Sequence, residues 1–371
     1  MYSFVIQTME QQHKDTAQNF FRNLYNDVMS SDFSIRLRKH SAELKLFYLS
    51  EQQLERLVSM NRPKRIVWIT WWILRAMFLK LTVWRRFLFV VGLVSIFNVR
   101  VHGNDVTIEG NIMLGTAALI LIILLELKDK LLAHDELAEG RKIQQALMPK
   151  ENPQIPGWSV WLYTRAANEV CGDLIDVLHL DNNRFGIAIA DVAGKGLHAA
   201  LLTTKLQATL RALAYDESSL SALVMQINTI FHRDSPPNMF ASMFYCEVTA
   251  NSGTIRFVNA GHFPALVVRN TIPEETPKGD PALGLTRTVQ YNEHNSIITS
   301  GDVFILYSDG LTEAKNDLGE FFGKERLIRF FSNNTRTEPS HIGMALLTEI
   351  DRFTKTEKSA DDLSLIIIRK I

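Results

Sequence analysis

An α+β fold is the class this 371-residue sequence predicts: a largely antiparallel sandwich flanked by helices, preceded by a helical region and a linker helix. Two observations carry the prediction. From residue 157 onward, short runs rich in β-branched and aromatic residues are joined by turn sequences such as Asp181-Asn182-Asn183 and Asn251-Ser252-Gly253. Turns that tight leave no room for a crossover helix, so the strands pair antiparallel and a doubly wound sheet is disfavoured. Before residue 157 the apolar positions recur at helical spacing instead.

Residues 1–65 form a charged, helix-prone region in which Phe20, Phe21, Leu24, Tyr25 and Val28 share one helical face; no chemistry attaches to them. Residues 66–127 turn strongly apolar and hold Trp68, Trp71, Trp72 and Trp84, four of the six tryptophans. Two uncharged runs, 87–99 and 110–125, are 13 and 16 residues long, against roughly 20 for a spanning helix. Charge favours insertion nonetheless. Arg62, Lys64, Arg65, Arg75, Lys80, Arg85 and Arg86 precede the pair, and Lys128, Lys130, Arg141 and Lys142 follow it, while only Arg100, Asp105 and Glu109 lie between. By the positive-inside rule this predicts a two-helix membrane hairpin with both flanks cytoplasmic. The expected location is therefore the plasma (inner) membrane, multi-pass, with the C-terminal domain in the cytoplasm. The alternative is a buried helical hairpin or an interfacial helix. Residues 1–30 have no sustained apolar core and so do not read as a cleavable signal peptide.

A linker occupies 128–150. The helical pattern over 126–148, with Leu127, Leu131, Leu132, Leu137, Ile143 and Leu147 in register, stops at Pro149. It reads either as a solvated helix on its own domain or as a helix that pairs with a second copy and transmits a signal, which makes a homodimer a candidate assembly.

Residues 151–371 form the last domain. Strands are expected in the runs WSVWLYTRA, DVLHLDNNRFGIAIAD, MFASMFYCEVTANSGTIRFVNAG, PALVVRN, SIITSGDVFILYSDG and LSLIIIRK, with helices over 197–214, 220–231, 324–331 and 340–353. Asp173, Asp191, Asp309 and Asp361 each stand where a strand meets a turn. Carboxylates at neighbouring strand ends can converge on one cleft, where mutual repulsion calls for divalent cations; all-oxygen ligands favour Mg²⁺ or Mn²⁺ over Zn²⁺. The implied chemistry is metal-assisted hydrolysis. Asp191-Val192-Ala193-Gly194-Lys195-Gly196 is no Walker loop, because Ile189 replaces the needed glycine and no Ser or Thr follows Lys195. The 40 basic and 40 acidic residues give no global reason to expect a nucleic-acid partner, and two cysteines, Cys171 and Cys246, give no disulfide framework.

Taken in order, Glu169-Val170-Cys171-Gly172-Asp173, the Asp191 to Gly196 stretch with Ala199-Ala200, Asn259-Ala260-Gly261-His262, Ser308-Asp309-Gly310 with Glu313, and Asp361-Asp362 before an apolar strand resemble the SpoIIE-like branch of the metal-dependent PPM (protein phosphatase type 2C) family. The resemblance covers 137–371. It implies an α-β-β-α sandwich and a protein-serine/threonine phosphatase with two Mn²⁺ or Mg²⁺ ions. Asp191 would bridge them, the Val192 carbonyl would add a ligand, and Asp173, Asp309 and Asp361 would complete the cage, with Asp362 as the alternative to Asp361. Asp191 and Asp309 are then the catalytic residues, and water activated between the ions replaces a protein nucleophile. Arg165 is a candidate phosphate contact, or an exposed strand arginine. Cys171 stands where the branch usually has glycine and is expected to pack as a small apolar residue. The expected substrate is a phosphorylated regulatory protein such as an anti-sigma factor antagonist. A catalytically silent binding module and a metal-dependent nucleotide cyclase are the competing readings; the first would be favoured by a lost aspartate, and none is lost.

Overall fold

The computed structural model describes residues 48–58, 60–96, 99–102, 105–108, 112–149, 152–355 and 361–371. The helical face expected around Phe20 to Val28 lies outside them. The chain divides into two compact units, Met1–Asp129 and Lys130–Ile371.

In the first unit, α1 (Glu51–Val58), α2 (Arg62–Lys80) and α3 (Val83–Ile96) precede a two-stranded antiparallel ribbon, β1 (Val99–His102) and β2 (Asp105–Ile108). The 36-residue helix α4 (Ile112–Leu147) starts here and ends in the second unit. Pro63 opens α2, where a missing N–H costs nothing. The buried apolar set is small, built on Leu49, Leu57 and Trp72, with Trp68 packed against Trp72 at 5.4 Å.

The membrane hairpin, and with it the multi-pass membrane location, is overturned: no helix among the described residues is long and apolar enough to cross a membrane. The first apolar run is spent on α3, only 14 residues long and carrying Arg85 and Arg86 near its start. At about 1.5 Å per residue it falls well short of the roughly 30 Å hydrocarbon layer. Helix α2 carries Arg65 and Arg75 inside an otherwise apolar sequence. The apolar start of α4 gives way to Glu126, Lys128, Asp129 and Lys130 without a break. Arg85, counted above as a flanking positive charge, pairs instead with Glu126 at 2.7 Å and Asp129 at 2.6 Å. The residues expected to form the outer loop include the β1–β2 ribbon.

The second unit is a four-layer α-β-β-α sandwich. One sheet has the order β10-β7-β6-β5-β4, from β4 (Asp173–His179), β5 (Arg184–Val192), β6 (Ala241–Thr249), β7 (Thr254–Ala260) and β10 (His294–Ile297). The other has the order β3-β12-β11-β8-β9, from β3 (Trp158–Arg165), β8 (Leu266–Arg269), β9 (Ile272–Glu275), β11 (Val303–Tyr307) and β12 (Leu363–Lys370). Every strand pairing is antiparallel.

Period-two alternation sorts the side chains into layers. On β5, Phe185, Ile187 and Ile189 enter the space between the sheets with Phe244, Phe257, Phe304, Ile366 and Ile368. Ala188, Ala190 and Val192 face the other way, against α5 (Leu197–Leu213) and α6 (Leu220–Asp234). On β12, Leu363, Leu365 and Ile367 meet α8 (Gly323–Asn333) and α9 (Pro339–Thr354) on the outer face of the second sheet. Each fully buried Ile or Phe in these layers stabilises the fold by about 1.5–3 kcal/mol. The four helices expected from periodicity form with ends shifted by a few residues at most. Helix α6 is capped by Ser219, whose side chain accepts from the Ala222 N–H.

Candidate metal centre

The alternation that fills the inter-sheet layer with hydrocarbon also decides what closes its end. Asp173 shares its face of β4 with Ile175 and Val177, and Asp191 shares its face of β5 with Ile187 and Ile189. The two aspartates are register partners across the β4–β5 pair, and Ser242 is the partner of Asp191 on β6. From the second sheet, Ser308 follows β11 and Asp362 precedes β12, in phase with the inter-sheet residues Leu306 and Ile366. One end of the core is therefore polar on both sheets.

Asp309 opens the single turn α7 (Asp309–Thr312) directly after Ser308. The turn lies against the chain entering β12. Ser308 N–H donates to the Ser364 carbonyl at 3.0 Å, Ser364 N–H to Ser308 Oγ at 2.9 Å, and Ser308 Oγ–H to the Asp362 carbonyl at 3.2 Å. A Cβ on Gly310 would stand 2.0 Å from that carbonyl, so only glycine permits the approach. Asp309 and Asp361 are thus brought together by backbone contact.

The adjacent Asp361 and Asp362 differ in burial and in partners. Asp362 is buried, and its carboxylate accepts from Ala167 N–H at 2.7 Å and Gly172 N–H at 2.5 Å, fixing the loop that leads into Asp173. Asp361 is partly exposed, and its Oδ2 lies 2.8 Å from Lys195 Nζ. Lys195 rides on a turn whose flanking glycines, Gly194 and Gly196, have φ of 105° and 73°, values a side chain would resist.

The carboxylates oppose one another's ionisation. Burial, then the charges of Asp309 and Asp361, push Asp191 up to about 7. Asp309 is raised by burial and by Asp361. Asp173 is held well above the usual carboxylate range by burial, with Ser364 and Ser308 hydroxyls working against the shift and Asp191 reinforcing it. Asp173 Oδ2 is buried without a hydrogen-bond partner. Such an orphan atom costs about 1–3 kcal/mol or more unless something pairs with it. Hard oxygen donors, mutual repulsion and an unsatisfied buried oxygen together fit a divalent cation site. Among the described residues, however, no group of three or more His, Cys, Asp or Glu side chains is already drawn into a ligand arrangement, and Lys195 takes part of the charge of Asp361.

The other residues singled out from the sequence fall elsewhere or play structural parts. Arg165 ends β3 with Nη1 at 2.9 Å from Asp351 Oδ1 on α9. His262 is buried and neutral, its imidazole lowered to about 4 by burial, with Nδ1 2.9 Å from Ser242 Oγ. The Asn259 side chain brackets the main chain of His262, donating to its carbonyl at 3.0 Å and accepting from its N–H at 2.8 Å. Burial keeps the Cys171 thiol protonated, and it packs as a small buried group.

Two contacts had no separate signal in the sequence. Gln144, near the end of α4, donates to the Cys171 carbonyl at 2.9 Å and accepts from the Cys171 N–H at 3.0 Å. The Leu147 carbonyl accepts from Gln207 at 3.0 Å and Arg211 at 2.8 Å. The Lys195–Asp361 pair was also hidden, since only the glycines around Lys195 stood out. Polar residues interrupting the helical pattern at 144 and the turn at 195 were the available signals.

Comparison with known proteins bears on this arrangement. The model of the family described as Stage II sporulation protein E (SpoIIE) matches residues 181–370, just over half of the chain. The protein IcfG of Synechocystis sp. is 26% identical over 227 residues, which cover 54% of this chain and 36% of IcfG. Phosphoserine phosphatase RsbU of Bacillus subtilis is 24% identical over 238 residues, covering 63% of this chain and 70% of RsbU. The match thus takes in about a third of one relative and seven tenths of the other. Among solved structures, the SiaA-PP2C domain of Pseudomonas aeruginosa is similar with a TM-score of 0.58 at 18% identity, over 65% of this chain and 98% of that domain, a likeness of fold. With its two-sheet architecture, and with Asp191, Asp309 and Asp361 inside the matched region and Asp173 just before it, the chain belongs to the SpoIIE family.

Proposed function

We propose that this protein is a metal-dependent protein-serine/threonine phosphatase whose catalytic domain is 151–371. The observation that carries the reading is the end of the inter-sheet layer, where Asp173, Asp191, Asp309 and Asp361 gather beside an unpartnered buried oxygen. The similarity to a phosphoserine phosphatase, RsbU, supports the same chemistry.

Two Mn²⁺ or Mg²⁺ ions would be held by Asp173, Asp191, Asp309 and Asp361 with the Val192 carbonyl. Asp362 is left out because main-chain amides already take both of its oxygens. Bound there, the ions would lower the pKa of water and neutralise phosphoryl oxygens. Hydrolysis adds water to phosphorus, breaks the bond to the serine or threonine oxygen and returns a proton to that oxygen. The protein's own part is positional. Asp362 fixes the loop before Asp173, Ser308 and Gly310 fix Asp309, and Lys195 holds Asp361. Arg165 would have to exchange Asp351 for phosphate to act as a substrate contact. The substrate is a phosphorylated regulatory protein, with an anti-sigma factor antagonist as the first candidate.

Mn²⁺-dependent release of phosphate from an aryl phosphate and from a phosphoserine protein tests the assignment. Asp191→Asn should reduce both rates on the order of a hundredfold or more, because it removes a charged oxygen donor. A folded Asp191→Asn variant with wild-type turnover would remove the site assignment.

The C-terminal half of α4 is proposed as a regulatory contact between two copies. Leu131 and Ile143 are 54% and 64% exposed there, while Gln144 holds the main chain two residues before Asp173. Replacing Leu131 and Ile143 together by aspartate should change oligomeric state and activity in the full chain. No change in either would leave this helix a passive tether.

A further inference from the structure

A cleft of about 530 Å³ is lined by Asp191 and Asp309 of the acidic centre and also by Phe263, Lys278 and Lys324. It is far larger than one phosphate needs and lies within the roughly 300–1,000 Å³ of typical ligand sites. Its lining is acidic, apolar and basic by turns. Phe263, 40% exposed, stacks on Tyr307 at 5.6 Å and offers an apolar face. Gly261 and Gly279 leave stretches of wall as bare main chain, and packing keeps them so: a Cβ at Gly261 would stand 2.7 Å from Ala282 Cβ, and one at Gly279 would stand 2.5 Å from Asn259 Oδ1.

The cationic wall is held in place by its neighbours. Thr276 N–H donates to the Ala265 carbonyl at 2.9 Å and Thr276 Oγ1 accepts from the Ala265 N–H at 3.0 Å. Asp280 N–H donates to the Asn259 carbonyl at 2.8 Å. Lys278 stands between these two anchors. The nearest acid in sequence, Asp280, is occupied by Asn292 through bonds of 2.7 and 2.9 Å. Lys324 is already paired with Glu275 at 2.5 Å. Among the described residues Lys278 makes no ion pair, so this wall carries a positive charge that the protein does not itself neutralise.

We propose that this cleft binds the polypeptide flanking the phosphorylated residue, and that Lys278 selects substrates with an acidic side chain near the phosphoserine. The proposal rests on the phosphatase reading: the phosphoserine sits at the Asp191–Asp309 end, the neighbouring main chain follows the glycine walls past Phe263, and the acidic residue meets Lys278. An extended segment fits this layout better than a compact phosphate ester, which would use one end only.

The test uses the full chain with Mn²⁺ and two phosphoserine peptides that differ only in carrying Glu or Gln at the positions flanking the phosphoserine. The wild-type protein should favour the Glu peptide by about tenfold in kcat/KM, mainly through KM, as expected for one partly desolvated charge pair. Lys278→Glu should abolish or reverse that preference, and Lys278→Arg should keep it. Fluorescence anisotropy with the same peptides should give the same ranking in binding, independent of turnover. Equal use of both peptides by wild type, or an unchanged preference in a folded Lys278→Glu variant, would overturn the cleft assignment and leave the phosphatase reading intact. No hydrolysis of either peptide or of an aryl phosphate would overturn that reading, and the substrate assignment of the cleft with it.

Discussion

Asp173 and Asp176 lie three residues apart on β4 and are equally buried, at 1% and 0% exposure, yet their surroundings are opposite. Asp176 faces the helical layer and accepts from Arg211 at 2.7 and 2.8 Å, with a further bond from the Val177 N–H at 3.0 Å. Asp173 faces the inter-sheet layer, has one oxygen without a partner and is surrounded by other carboxylates. Equal burial therefore does not mean equal surroundings for an acid in this protein. Asp176 has an internal cation as partner, and Asp173 has none among the described residues.

The strongest way to break that contrast is Asp176→Asn. It should destabilise the fold by about 3 kcal/mol, since it leaves Arg211 with an incomplete partner, and denaturant melts would read the loss. A loss below about 1 kcal/mol would mean that the ion pair is not structural. Gly310→Ala should cost about 2 kcal/mol through overpacking against Asp362 and also reduce turnover, because the Asp309 turn must shift. Wild-type melting and turnover would show that the turn adapts without cost.

A pH-dependent effect is expected at Asp191. Its carboxyl is raised to about 7 in the folded protein, against roughly 3.9 in an unfolded chain. Between these values the folded state binds a proton that the unfolded state lacks, so stability falls as pH rises from about 4 to 7. In chelator, the melting temperature should drop across that interval, Asp191→Asn should flatten the slope, and Mn²⁺ at pH 7.5 should restore stability to the wild-type protein. An equally steep slope in Asp191→Asn would place the titrating group elsewhere.

The sandwich was legible because its signals are local. Alternation in RFGIAIAD sorts Ile187 and Ile189 from Ala188 and Ala190, and tight turns exclude crossover helices. The four aspartates were legible as strand-end residues for the same reason. The choice between Asp361 and Asp362 was not, because identical neighbours are separated only by long-range bonds to Ala167 and Gly172. Arg165 likewise depends on Asp351, a residue far along the chain. The N-terminal unit misled for a different reason. Tryptophans and apolar runs report hydrophobicity but not helix length, and the basic flank that suggested a membrane includes Arg85, which is paired with Glu126 and Asp129.

The meeting of Gly310 with the Asp362 carbonyl has a consequence for how this site can change over evolutionary time. Most distances inside a protein can be tuned in small steps by trading one side chain for a slightly larger or smaller one. Here no side chain intervenes, and the smallest possible addition, one methyl group, would stand 2.0 Å from the carbonyl oxygen. The spacing between the Asp309 turn and the Asp361 segment has no adjustable part, so a lineage can keep it or rebuild a whole turn, with no gradual path between the two.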